Sequence, residues 1–258
     1  NQQLARFLYS LSLETAFELA EIDGGGLANA IPRDAHAVIG LAAADVEVLE
    51  KLAAEFNSTV HSEFKGVEED AFHFNVEQVD PRREVIDAKT AHDLIKAVFA
   101  CPNGVQGMSH AIEGLIETSC NLASVKMKEG ERIEITVHQR SSVDSRRDEI
   151  ADRIKALFTL IGASVAFDDA YVGWAPNPDS KVLKVAVESY RDIFHAEPKV
   201  EALHAGLECG LFLEKMPALD MVSFGPTLKD IHSPGEKANI KSVEDFWRLL
   251  TEILRRLA

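Results

Sequence analysis

IETSCNLASVKMKEGERIEITVHQRSSV, residues 116–143, carries the fold in its alternation. Ile116 to Met127 and Arg132 to Val143 alternate over lengths that suit two long strands. Lys128-Glu129-Gly130-Glu131 joins them through a turn in which Gly130 can take a positive φ. The stretch reads as a β-hairpin. In its second arm Ile133, Ile135 and Val137 fall on one face and Glu134, Thr136, His138 and Arg140 on the other, so one side is set to cover a core.

Working outward, Ser145 to Ile161 has helical spacing with Ile150, Ile154, Leu157, Phe158 and Ile161 inward, and Ser164 to Phe167 returns as a strand. Before the hairpin, Thr90 to Ala100 reads as a helix capped by Thr90 and ended ahead of Pro102. Phe72 to Val79 reads as a strand stopped by Asp80-Pro81. A longer helix opens at Asp45, places Val48, Leu49, Leu52, Phe56 and Val60 on a 3.6 period, and closes in solvent at Glu68-Glu69-Asp70. Ala35 to Leu41 and Ala16 to Ile22 are strands, the latter broken by Gly24-Gly25-Gly26, and Leu4 to Leu13 is helical. The order amounts to a β-α-β-β-α-β sheet with one helical face.

At Gly173-Trp174-Ala175-Pro176-Asn177-Pro178 two prolines mark an interdomain crossing. Beyond it the rhythm alternates: helix Asp179 to Phe194, strand Lys199 to Leu203, helix Leu207 to Leu213, strand Asp220 to Phe224, amphipathic helix Val243 to Leu257. That pattern implies a parallel α/β layer, and two strands suit the end of a larger sheet.

The composition excludes several classes of function. The 258 residues are 46% hydrophobic and 27% charged, a globular balance. A net charge of −15, from 27 basic and 42 acidic side chains, repels phosphate backbones and argues against nucleic acid. No apolar run reaches membrane-spanning length, and Asn1 to Leu13 lacks the features of a signal peptide. Cys101, Cys120 and Cys209 are odd in number and unpaired in spacing, as for thiols in a reducing cytoplasm. The chain opens on Asn1 rather than Met and enters helical spacing at once, which reads as a fragment.

Four segments could carry chemistry. His204-Ala205-Gly206-Leu207-Glu208-Cys209-Gly210-Leu211-Phe212 passes from strand to helix, so the amides around Gly206 could bind an anion, or the glycines could simply make a tight turn. His232, in a Gly/Pro-constrained loop after a strand, is a metal ligand, an acid/base or a surface histidine. Arg140 could hold a carboxylate through paired hydrogen bonds or could be an ordinary surface arginine. Asn29, after three glycines, is a turn residue or an amide donor to a ligand.

These segments resemble the Xaa-His dipeptidases, cytosolic dinuclear zinc peptidases. The likeness is carried by Asn29-Ala30-Ile31-Pro32-Arg33, Pro102-Asn103-Gly104-Val105, Arg140-Ser141 with Asp144, Gly173-Trp174, the 204–212 segment, and Gly225-Pro226-Thr227 leading to His232-Ser233-Pro234. The resemblance implies an α/β protein in two parts: a ferredoxin-like lid and dimerisation domain over residues 1–172, then the C-terminal part of the catalytic α/β domain over 173–258. It further implies His232 as a zinc ligand, with cobalt or manganese as alternative metals. Asn29, Arg140 and the Gly206 backbone would hold the carboxylate of a dipeptide such as β-alanyl-histidine. It implies a cytoplasmic homodimer paired through the lid. The family's other metal ligands and its glutamate base have no counterpart in this sequence, so the chain is expected to be inactive alone. The alternative is a non-catalytic dimerisation or binding module built on the lid sheet.

Overall fold

The computed structural model describes residues 1–66, 72–110, 112–128, 132–168, 174, 177, 179–201, 208–231 and 235–258, except for the side chains of 208 and 214. The elements run α1 (Gln2–Glu14), β1 (Phe17–Gly25), β2 (Ala35–Leu41), a 3-10 turn (Ala43–Asp45), α2 (Val46–Glu63), α3 (Ala88–Ala100), β3 (Gly104–Met108), β4 (Ile116–Lys128), β5 (Arg132–Ser141) and α4 (Asp144–Leu160). They continue with α5 (Lys181–Phe194), α6 (Glu208–Lys215), β6 (Leu228–Lys229), β7 (Lys237–Ala238) and α7 (Ile240–Leu257). The chain forms two compact units. The first comprises Asn1–Gly107, Thr118–Arg140 and Ser145–Asp168; the second comprises Met108–Glu117, Ser141–Asp144 and Asp169–Ala258. Among the described residues no helix is long and apolar enough to cross a membrane.

In the first unit the hairpin forms as the alternation predicts, and β4 is the hub. The sheet runs β2-β1-β4-β3 with β5 also on β4. β1 and β2 pair antiparallel from Phe17↔Leu41 to Gly24↔Ala35, with a bulge between Leu19 and Glu21. β1 joins β4 at Asp23↔Lys126, Gly24↔Val125 and Gly25↔Ser124, a register reinforced by the 2.6 Å Lys126–Asp23 ion pair. Helices bury one face each against this sheet: Phe7, Leu8 and Leu11 from α1, Leu49, Phe56 and Val60 from α2, Leu94, Ile95 and Val98 from α3, and Ile150, Ile154 and Phe158 from α4. Each large side chain so buried contributes about 1.5–3 kcal/mol. Ile133, Ile135 and Val137 pack on this core as the alternation requires, and Cys101 and Cys120 are buried in it as free thiols.

Several expectations are corrected. Gly24 and Gly25 do not break β1 but end it in register. A Cβ at Gly24 would strike Ala35, and Gly25, at φ 69°, lies so close to the Ala123 carbonyl that only glycine fits. Phe72 to Val79 is not a strand. Its alternation is real, since Phe72 and Phe74 pack on the core, but the Asn57 amide takes the place of a neighbouring strand: Nδ2 donates to the Phe74 carbonyl at 2.6 Å and Oδ1 accepts from the Phe74 N–H at 3.1 Å. Ser164 to Phe167 is not a strand either. α4 closes through Gly162 at φ 80°, Val165 packs on the core, and no ladder takes up the following backbone among the described residues. α3 begins earlier than expected, because Asp87 rather than Thr90 is the cap, accepting the Thr90 N–H at 3.0 Å. α2 ends at Glu63, and Glu68-Glu69-Asp70 lies outside the described residues. β3, too short to show in the pattern, was not anticipated.

In the second unit α5 and α7 meet through Ala186, Leu249 and Ile253, with Val222 and Phe224 against them. The N-terminus of α5 is satisfied by side chains: Ser180 accepts from Leu183 N–H at 3.0 Å, and Asp220 accepts from Lys181 and Val182 N–H at 2.7 and 3.1 Å. The hydroxyl of Ser180 and these amides hold the Asp220 carboxyl below its usual range. The expected parallel layer is absent from the described residues. Residues 199–201 and 220–224 form no ladder, and 202–203 lie outside the description. Asp220 caps a helix and Val222 and Phe224 pack on helices, so this segment supports α5 and α7 instead of pairing. The ladder that does form joins β6 to β7, Leu228↔Ala238 and Lys229↔Lys237.

Candidate functional site

Where β1 leaves the sheet, the Gly25 N–H donates to the Asp34 carbonyl at 3.1 Å and the Gly26 N–H to that of Ala123 at 3.3 Å. These bonds pinch the neck of a loop. Inside it Leu27 to Ala30 form a tight turn closed by the Ala30 N–H on the Leu27 carbonyl at 3.1 Å, with Ala28 and Asn29 in its centre. Asn29 is therefore a turn residue, and it is exposed. From β4, Asn121 Nδ2 donates to the Ala28 carbonyl at 3.2 Å and to the Ala30 carbonyl at 2.8 Å, the two peptide oxygens that bracket Asn29.

From β5, His138 feels the Ala28 carbonyl, which favours its protonated form, and Arg140 stands two residues further along the same strand face. The pKa of His138 is lowered, chiefly by burial and then by the charge of Arg140, against the opposing influence of the Ala28 carbonyl. At neutral pH the imidazole is uncharged and the guanidinium is the local cation. Arg140 is half-buried and has no ion-pair partner among the described residues. A half-buried, unpaired guanidinium is poised for an external anion, and its planar fork matches a carboxylate.

The structure thus places Asn29 in an exposed turn held from β4, and Arg140 on β5 two residues beyond His138, whose titration feels both Ala28 and Arg140. Gly206 and His232 lie outside the described residues. Among the described residues no three His, Cys, Asp or Glu side chains converge to hold a metal. The described site alone therefore does not fit a zinc ion, and what it can do is bind an anion. Sequence reasoning missed Asn121. Its signal was a lone amide between Cys120 and Leu122, two residues that alternation turns toward the core.

The profile of peptidase family M20/M25/M40 matches residues 16–256. Over 257 residues the chain is 37% identical to the cytosol non-specific dipeptidase of Escherichia coli (strain K12), which takes in 100% of this chain and 53% of that protein. Its mixed α/β fold matches the crystal structure of the aminoacylhistidine dipeptidase from Vibrio alginolyticus with a TM-score of 0.89 at 36% identity, over 99% of this chain and 52% of that one. The chain spans about half the length of these relatives. A family match across nearly the whole chain, joined to identity above one third, establishes that the chain belongs to peptidase family M20/M25/M40.

Proposed function

We propose that this chain serves a cytoplasmic metal-dependent dipeptidase that hydrolyses Xaa-His dipeptides such as β-alanyl-histidine. Residues 1–172 act as its lid and dimerisation domain, with a ferredoxin-like plan, and 173–258 as the C-terminal part of its catalytic domain. The observation that carries the reading is the unpaired Arg140 beside the loop that presents Asn29. Arg140 and the Asn29 amide hold the substrate's C-terminal carboxylate, with the Gly206 backbone as a third donor. A fixed carboxylate anchor measures the distance to the scissile bond and so selects dipeptides over longer chains.

His232 is proposed as a metal ligand, for zinc or alternatively cobalt or manganese, and the protein as a homodimer paired through the lid. Because the remaining ligands and the general base are expected from sequence outside this chain, the chain by itself is inactive. The test is hydrolysis of β-alanyl-histidine with zinc titrated in, for the full-length protein and for this chain alone. Turnover by the former only is expected. Efficient zinc-dependent turnover by the chain alone contradicts the division of labour, and none by either favours a non-catalytic binding module.

A further inference from the structure

We infer that Asn121 is a positioning residue that sets the geometry of the Asn29 loop, an inference resting on the reading of Asn29 and Arg140 as the carboxylate anchor. Leu27 and Ile31 are 72% and 84% exposed, so burial contributes little to the loop's order. Among the described residues, the side-chain hydrogen bonds reaching residues 27–33 from elsewhere in the fold come from Asn121. Asn121 acts across more than ninety residues of sequence, from the sheet's central strand, and its contacts fall on the carbonyls either side of Asn29. Two carbonyl acceptors require the amide nitrogen to face them. The oxygen cannot take its place without repulsion, so the side chain has one orientation.

Among the described residues, Asn121 is the side chain that bonds the carbonyls on both sides of Asn29, the residue that contacts substrate. A loop released from Asn121 spends part of its time in geometries that cannot engage the carboxylate, and the apparent affinity falls by that fraction. The chemical step, remote from the anchor, is unaffected. The signature is a rise in KM with kcat preserved.

The experiment uses the full-length protein and β-alanyl-histidine, comparing wild type with Asn121→Asp, Asn121→Ala, Asn121→Gln and Asn29→Ala, together with the {1H}-15N NOE of the backbone amides of residues 28–31. Asn121→Asp keeps the shape but turns an oxygen on the two carbonyls. It is expected to raise KM about tenfold at unchanged kcat, the scale of ordering one or two backbone residues. It should also lower the NOE at Ala28 to Ile31. Asn121→Ala is expected to act in the same direction, while Asn121→Gln, which keeps the two N–H groups, recovers part of the loss. An unchanged KM in Asn121→Asp where Asn29→Ala raises it overturns the positioning role and leaves the anchor reading intact. An unchanged KM in Asn29→Ala overturns both. A fall in kcat accompanied by a proportionate loss of melting temperature, with the loop NOE unchanged, overturns the inference by showing a purely structural residue.

Discussion

Replacing Gly25 by alanine attacks the point where sheet becomes loop. Gly25 has φ 69°, and a Cβ there would run into the Ala123 carbonyl oxygen of β4. The left-handed conformation alone costs a non-glycine residue about 1–2 kcal/mol. Parting two paired strands to admit the methyl adds about 1–3 kcal/mol, as for other overpacked sites. The expected loss is about 2–5 kcal/mol, which lowers a urea midpoint by about 1–2 M at ordinary slopes. Gly26 is the control: nothing lies near its would-be Cβ, and Gly26→Ala should stay within about 0.5 kcal/mol of wild type. The assay is thiol labelling of Cys101 and Cys120 across a urea series, read by mass. Both sit in the first unit, and burial pushes their thiols up to about 12 and about 11, so that they react when that unit unfolds and little before. A Gly25→Ala midpoint indistinguishable from that of Gly26→Ala refutes the steric argument.

Asn57→Ala removes both bonds to the Phe74 backbone and should lower the same labelling midpoint by the equivalent of about 1–3 kcal/mol; an unmoved midpoint contradicts the claim that this amide replaces a strand partner. Ser180→Ala uncaps α5, and amide exchange at Leu183 should quicken by about fivefold, matching about 1 kcal/mol. Because burial and Arg140 lower the pKa of His138, the folded state takes up its proton at lower pH than the unfolded state, so stability is lost as pH falls below the ordinary histidine range near 6.5. His138→Gln should therefore show a smaller drop in urea midpoint between pH 7.5 and 5.5 than wild type; an equal drop places the acid sensitivity elsewhere.

The hairpin and the helices around the core were legible because each buries one face, and burial imposes a period on the sequence. Phe72 to Val79 shows where such reasoning fails. Period-two burial of Phe72 and Phe74 is the same whether a strand or the Asn57 amide satisfies the backbone between them. The residues 220–224 fail likewise: Val222 and Phe224 are apolar because they pack on helices, and no ladder is needed to bury them. At the site, Arg140 was visible as a cation on a polar strand face and Asn29 as a turn residue. The bonds that hold the Asn29 turn were not visible, because the contacts of Asn121 to Ala28 and Ala30 join residues more than ninety apart, and no local pattern marks such a pairing.

Arg140 as the proposed carboxylate anchor is open to a direct test. The measurement is kcat/KM of the full-length protein for β-alanyl-histidine and for its C-terminal amide, with wild type, Arg140→Lys and Arg140→Ala. Wild type is expected to prefer the free carboxylate by about 10–150-fold, the worth of a charge-assisted hydrogen-bonded pair at 1.5–3 kcal/mol. Arg140→Ala should erase that preference and Arg140→Lys, lacking the planar fork, should retain only part of it. An undiminished preference in Arg140→Ala contradicts the account.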